Sequence, residues 1–79
     1  MDSMKASRKA RSRRVAVHEA VWPDGRRWSL AVVVLQGGFV TDCYPFKHEP
    51  PLTEWLGGTV TIEETAQGLV AFRNGQRLL

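Results

Sequence analysis

The sequence predicts a small, mainly β domain, and three observations support this class. Turn-forming residues recur at short intervals, the segments between them are rich in β-branched residues, and one segment alternates strictly between polar and apolar residues. With 79 residues the chain forms one domain at most. Its single cysteine excludes an internal disulfide and a Cys-rich zinc cluster. Small cores often need added support, so we expect a homo-oligomer.

The first two predicted strands flank the turn WPDGR at residues 22–26. Pro, Asp and Gly stand there in the order that suits a type I turn followed by a left-handed glycine. In RVAVHEAVW before the turn, strict alternation places three valines and one glutamate on the same face: Val15, Val17, Val21 and Glu19. RWSLAVVVL after the turn is apolar on both faces, which is typical of a central strand. We expect the core to cover one face, and a helical turn or another protomer to cover the other.

Three further turns divide the rest of the chain. QGG at 36–38 precedes FVTDCYPF, AQG at 66–68 joins TVTIEE to LVAFR, and the hairpin signal NG at 74–75 precedes QRLL. TVTIE alternates cleanly and points Val60 and Ile62 inward. These segments predict a second hairpin and a possible sixth strand.

The segment KHEPPLTEWLGG, residues 47–58, does not fit a continuous strand because its two prolines cannot donate to a ladder. Pro51 suits the first position of a helix and Gly57 suits its C-terminal cap. We expect a single helical turn near residues 51–56, with Trp55 packed over one end of the sheet. The architecture is then a small antiparallel meander of five to six strands or an SH3-like barrel. The order of elements resembles small SH3-like barrels, a likeness of fold that implies no function.

Positive charge is concentrated at the N-terminus. Residues 1–14 carry six basic groups and one acid, a net charge of +5, whereas residues 15–79 carry five basic and seven acidic groups, a net charge of −2. We therefore predict a flexible basic arm (1–14) and one β domain (15–79). Basic side chains neutralise phosphates, so the arm indicates DNA or RNA as a partner; an acidic protein partner or a plain solubilising tail are the alternatives. The six basic residues are Lys5, Arg8, Lys9, Arg11, Arg13 and Arg14.

Two tryptophans and two arginines surround the first turn. Trp22 and Trp28 flank it, and Arg26 and Arg27 lie between them. Aromatic rings beside guanidinium groups hold single-stranded nucleic acid by stacking on its bases. The competing interpretation is that the two tryptophans pack against each other across the hairpin. The aromatics of YPF, at the end of the third predicted strand, are a second set.

Nothing in the sequence indicates an enzyme, a metal site or a cofactor. Cys43, His18 and His48 lack the spacing of a nucleophile with its base or of a metal-ligand cluster. We expect Cys43 to be a small buried hydrophobe. Glu63 and Glu64 are adjacent, so on a strand they point to opposite faces and do not form an acid/base pair.

Two functional hypotheses follow. The first is a small, non-catalytic, nucleic-acid-associated protein that uses its basic N-terminal arm. The alternative is a small protein–protein interaction module or inhibitor, homodimeric, with an open apolar edge at Leu78 and Leu79 and no nucleic-acid role. No run approaches the roughly 18 apolar residues of a membrane span. The lone thiol fits a reducing compartment, so we expect a cytoplasmic location without a membrane partner.

Overall fold

The structure is a computed structural model that describes residues 12–48 and 50–79. This part of the chain is mainly β, as predicted, and contains seven strands. The strands are β1 (Arg13–Val21), β2 (Arg27–Gln36), β3 (Phe39–Pro45), β4 (Glu54–Trp55), β5 (Thr59–Thr65), β6 (Gly68–Arg73) and β7 (Gln76–Arg77). They form one open sheet in the order β3-β2-β1-β5-β6-β7, and the short strand β4 lies off this path beside β1.

Strand β1 is the centre of the sheet. It pairs along its length with β2 in the antiparallel direction. Its other edge pairs in the parallel direction with β4 first and then with β5. The remaining pairs, β2–β3, β5–β6 and β6–β7, are antiparallel. The sheet is therefore mostly antiparallel, but a simple meander would not have the parallel pairs.

The predicted helical turn near residues 51–56 is not present. Residues 51–52 form a turn, and Glu54 and Trp55 form β4. An isolated helical turn fixes several residues for one hydrogen bond, whereas the open edge of β1 offers ready backbone partners. Leu56 N and Gly57 N both donate to Ala16 O, at 2.9 and 3.0 Å. The free edge of β1 therefore holds this segment as a strand.

The alternation of β1 breaks at His18 and Glu19. The backbone N–H groups of both residues donate to Gly58 O, at 2.9 and 3.1 Å. The register with β2 is the same on both sides of this point, but the buried positions are Val15 and Val17 before it and Ala20 after it. The prediction that Glu19 and Val21 share the face of the first two valines is therefore wrong, because strict alternation does not continue past His18.

The core lies on one side of the sheet. Val60 and Ile62 are fully buried, as predicted, and Cys43 is buried as well. The remaining members come from β1, β2, β3 and β6, and they are Val15, Val17, Ala20, Ala31, Val33, Leu35, Val40 and Ala71.

The C-terminal residues bring the two ends of the sheet together. Arg77 Nη2 donates to Gly38 O at 2.8 Å, and the guanidinium lies 5.0 Å from the centroid of the Phe39 ring. Leu78 N donates to Ala71 O at 2.8 Å, and its side chain packs against the core. Leu79 remains 70% exposed. Of the two terminal leucines, Leu78 thus packs against the core and Leu79 faces solvent.

Gly58, between β4 and β5, gives a testable prediction, with Gly25 of the first turn as its control. Both residues have positive φ (72° and 93°), and an alanine in that conformation costs about 1–2 kcal/mol. At Gly58 the added Cβ would also lie 3.2 Å from Arg73 Nε, whereas at Gly25 nothing lies within 4 Å. We expect Gly58→Ala to lower the free energy of unfolding by about 2–3 kcal/mol and Gly25→Ala by about 1–2 kcal/mol in urea denaturation. Equal losses would contradict the close contact with Arg73.

Candidate functional site

The basic N-terminal residues divide between two parts of the chain. Lys5, Arg8, Lys9 and Arg11 lie outside the described residues, whereas Arg13 and Arg14 belong to β1.

The two arginines of β1 have different surroundings. Arg13 makes two hydrogen bonds to the carboxylate of Glu54, at 3.1 and 3.2 Å, so its charge is largely compensated. The bonds and charge of Arg13 lower the pKa of Glu54. Arg14 is exposed, and no carboxylate in residues 12–48 or 50–79 forms an ion pair with it. It is therefore the cation of β1 that remains open to an external anion.

The arginines of the first hairpin are also paired. Arg26 Nε donates to Asp24 Oδ2 at 2.8 Å, and Arg26 N donates to the other oxygen of that carboxylate. The backbone hydrogen bond from Arg26 is the largest factor that lowers the pKa of Asp24. Arg27 Nη1 donates to Glu19 at 3.2 Å. Internal carboxylates thus compensate both guanidinium groups.

The two tryptophans of the hairpin pack against each other. The Trp22 and Trp28 rings meet edge-on, with centroids 5.2 Å apart and planes at 64°. Both are partly buried against the core, and the Arg26 guanidinium lies 5.6 Å from the centroid of the Trp22 ring. This is the cross-hairpin packing that the sequence offered as the alternative to base stacking. The Trp22 Nε1 group is buried without a hydrogen-bond partner in the described part of the chain.

A row of four side-chain positions crosses the opposite side of the sheet from the core. In the register of the sheet, Tyr44 of β3 pairs with Val32 of β2, Val32 pairs with Ala16 of β1, and Ala16 pairs with Trp55 of β4. Cys43, Val33 and Val17 point into the core, so this row lies on the other face, which we call the outer face. Val32 and Ala16 are buried, whereas Tyr44 is half-buried. The row has aromatic residues at its ends and small apolar residues between them.

Trp55 is the most exposed aromatic side chain of the row. It is 52% exposed, and its ring meets the His18 ring edge-on at 4.9 Å and 84°. His18 Nδ1 accepts a hydrogen bond from Gly58 N at 3.0 Å, which fixes the imidazole. A Cβ on Gly57 would lie 3.6 Å from both His18 and Trp55 Nε1, so this glycine leaves room for the two rings. The indole is therefore held in place while about half of its surface faces solvent.

Sequence reasoning missed Trp55 as a surface residue because it assigned the residue to a helical turn. The signal that could have identified it is alternation: its neighbour Leu56 packs against the core. In an extended segment, consecutive side chains point to opposite faces. Reading TEWL as a strand would have predicted an outward tryptophan.

The charges near the outer-face row are more positive than negative. Arg14 lies two residues before Ala16 on β1, and Lys47 follows the end of β3 with an exposed side chain. Asp42, on β3, is the exposed carboxylate of the neighbouring row, where it pairs with Val34. Glu63 lies on β5, on the other side of β1 from β2 and β3.

The described residues show no arrangement for nucleophilic or metal chemistry. Burial is the main factor that raises the pKa of Cys43 to about 11, and the nearby charge of Asp42 adds to it. No group of three or more potential metal ligands lies together in residues 12–48 and 50–79. The predicted absence of a catalytic site stays a prediction.

Comparison of the chain with protein-family models, with curated proteins and with solved structures found no match. In the described part of the chain, no helix has the length and apolar character needed to span a membrane.

Cys43 should behave as a core residue towards thiol reagents. With a pKa of about 11, about one thiol in a thousand is ionised at pH 8, and the side chain is buried. We expect Ellman's reagent to react far more slowly with the folded protein than with free cysteine, and at the rate of free cysteine once urea unfolds the chain. Fast stoichiometric reaction in native buffer would show an accessible, activated thiol instead.

The Arg13–Glu54 ion pair should make stability depend on pH. Because the pKa of Glu54 is lowered in the fold, its contribution is present above the ordinary value of 4.5 and is lost as pH falls through the folded value. We expect Glu54→Gln to lower the free energy of unfolding by about 0.2–1 kcal/mol at pH 7, with no difference near pH 2. Glu64→Gln is the matched control, because Glu64 forms no ion pair within the described residues. An equal effect of both substitutions at pH 7 would mean that the ion pair contributes nothing.

Proposed function

We propose that this is a small, non-catalytic, nucleic-acid-associated protein whose basic N-terminal residues contact phosphates. The observation that carries the proposal is the division of charge, with +5 in residues 1–14 and −2 in residues 15–79. Basic groups near a polyanion release its condensed counterions, which gives sequence-independent affinity that falls with salt. DNA and RNA both offer this chemistry.

The pairing of the arginines supports the same assignment. Arg13, Arg26 and Arg27 are bonded to carboxylates, so they have less capacity to bind an external phosphate. Arg14 has no such partner in the described residues and lies one residue after the start of β1. Among the described arginines of β1 and the first hairpin, Arg14 is thus the one without a carboxylate partner, and in the sequence it follows the basic residues Lys5, Arg8, Lys9 and Arg11. The hairpin of Trp22 and Trp28 adds little to this proposal, because both rings pack against the core.

A protein-interaction module, with a homodimer as its simplest form, is the second candidate. Within residues 12–48 and 50–79, four large apolar side chains are exposed and favour this candidate: Leu30 at 40%, Leu52 at 93%, Trp55 at 52% and Leu79 at 70%. Exposed apolar surface often marks an interface with another chain. Either function is compatible with the cytoplasmic location that we propose from the lone thiol.

The salt dependence of binding tests the proposed function. We would measure fluorescence anisotropy of labelled DNA and RNA with the full chain at several salt concentrations. About five neutralised phosphates predict a slope of log K against log salt near −4. A variant that replaces Lys5, Arg8, Lys9 and Arg11 with serine should lose about 3 units of that slope, because each contact contributes about 0.7–0.9. These four positions precede β1, so the strand keeps its sequence.

The matched control replaces Arg26 and Arg27 with glutamine. It also removes positive charge, but from groups that are bonded to Asp24 and Glu19, so the slope should stay close to that of the wild type. If the wild-type chain binds neither DNA nor RNA at low salt, the proposal is refuted and the protein-interaction candidate takes its place.

A further inference from the structure

We infer that the outer-face row of Tyr44, Val32, Ala16 and Trp55 is a stacking platform for single-stranded nucleic acid, with Trp55 as the main stacking residue. The inference rests on the proposed function and specifies which form of nucleic acid the protein binds and where. It is carried by the exposure of Trp55, the fixed position of its ring, and the charges beside the row.

The row has the shape that base stacking needs. Neighbouring strands lie about 4.8 Å apart, so three spacings place the Tyr44 and Trp55 positions about 14 Å apart. Val32 and Ala16 lie between them with short side chains. The span is about four times the 3.4 Å spacing of stacked bases, and small β domains bind about 4–16 nucleotides. Val32 and Ala16 are 0% and 2% exposed, so the accessible surface of the row is that of Tyr44 and Trp55 at its two ends, where a short single strand laid across β3, β2, β1 and β4 would stack.

Trp55 is prepared for stacking before any ligand binds. The edge of His18 contacts its ring at 4.9 Å, and the hydrogen bond from Gly58 N holds His18 in turn. Glu54, the preceding residue, is bonded to Arg13 on β1, which fixes the backbone of β4. A ring that is already ordered loses little conformational freedom on binding. Trp22 and Trp28 do not offer this arrangement, because they pack against each other and the core.

Charge favours a nucleic acid over an apolar partner on this face. Arg14 and Lys47 are exposed near the row, and no described carboxylate forms an ion pair with either. Asp42 is the one exposed acid in the part of the outer face formed by β1–β3, and it lies at the β3 side. Residues 1–14 carry a net charge of +5, and the last two of them, Arg13 and Arg14, begin β1. Phosphates of a strand on the row would therefore meet positive charge.

We expect the platform to discriminate single-stranded from duplex nucleic acid, but not DNA from RNA. In a duplex the bases stack on each other, so their faces are not available to an aromatic side chain. Stacking uses the π-face that every base has, which makes the interaction tolerant of sequence. The inferred contacts involve base faces and phosphates alone, so we expect DNA and RNA single strands to bind with similar affinity.

Substitution of Trp55 in the full chain tests the platform. We would titrate labelled oligonucleotides of about 12 nucleotides, as single-stranded DNA, single-stranded RNA and duplex DNA. Trp55→Ala should weaken binding of both single strands by roughly 5- to 100-fold and leave the duplex unchanged. Trp55→Phe keeps an aromatic face and should restore most of the affinity. As the control, Leu52→Ala removes a 93% exposed apolar side chain from the turn before β4. We expect this variant to bind nucleic acid like the wild type.

Each contrary result has a distinct meaning. If Trp55→Ala folds, as judged by circular dichroism, and binds single strands as well as Leu52→Ala does, the platform is refuted while the phosphate-binding arm stands. If single strands and duplex weaken equally, Trp55 does not stack on bases. If the wild type binds no nucleic acid, the platform and the proposed function both fail. If Trp55→Ala abolishes self-association without changing nucleic-acid affinity, the face is an interface between copies of this chain and the inference is wrong.

Discussion

The backbone of Gly58 is the point on which the rest of the structure depends. Its carbonyl accepts hydrogen bonds from His18 N and Glu19 N, and its own N–H donates to His18 Nδ1. Together with the parallel pairs of β1 with β4 and β5, these three bonds attach the second half of the sheet to β1. Both Gly57 and Gly58 have positive φ (74° and 72°), a conformation that glycine adopts without the strain a side chain would add. Arg73 on β6 reinforces the junction by donating to the carbonyl oxygens of Gly57 and Leu56.

The same junction creates the two faces of the molecule. The alternation of β1 breaks where His18 and Glu19 both bond to Gly58, so that Ala20 is buried and Glu19 pairs with Arg27. The extended path through β4 sends Leu56 to the core and leaves Trp55 on the outer face beside His18. A helical turn in this segment would have removed the parallel pairing of β4 with β1, which holds Trp55 beside Ala16. The geometry of the inferred platform thus follows from how β4 joins β1.

The distribution of surface charge depends on which arginines are paired with carboxylates. Within the described residues, three arginines are bonded to nearby carboxylates, in the pairs Arg13–Glu54, Arg26–Asp24 and Arg27–Glu19. Such exposed pairs contribute little to stability, but they reduce the positive potential of the surface around them. Among the described cations without a carboxylate partner, Arg73 and Arg77 donate to backbone carbonyls, whereas Arg14 and Lys47 are exposed near the outer-face row. Compensation of Arg26 and Arg27 in the hairpin and its absence at Arg14 together direct the proposed phosphate contacts to the outer-face side of β1.

The sequence by itself determined the mainly β class, most strand positions, the inward side of β5 and the burial of Cys43. These features depend on local patterns, namely turn residues, β-branched runs and a period of two. Only the tertiary structure decided the parallel pairing of β1 with β4 and β5, the break in alternation at His18 and Glu19, and the outward position of Trp55. Those features depend on which edge of β1 is free when a segment some 40 residues later reaches it. A pairing between residues so distant in the chain leaves no local pattern in the sequence. The conformation of TEWLGG, residues 53–58, was therefore set by its partner strand β1 and not by its intrinsic preference.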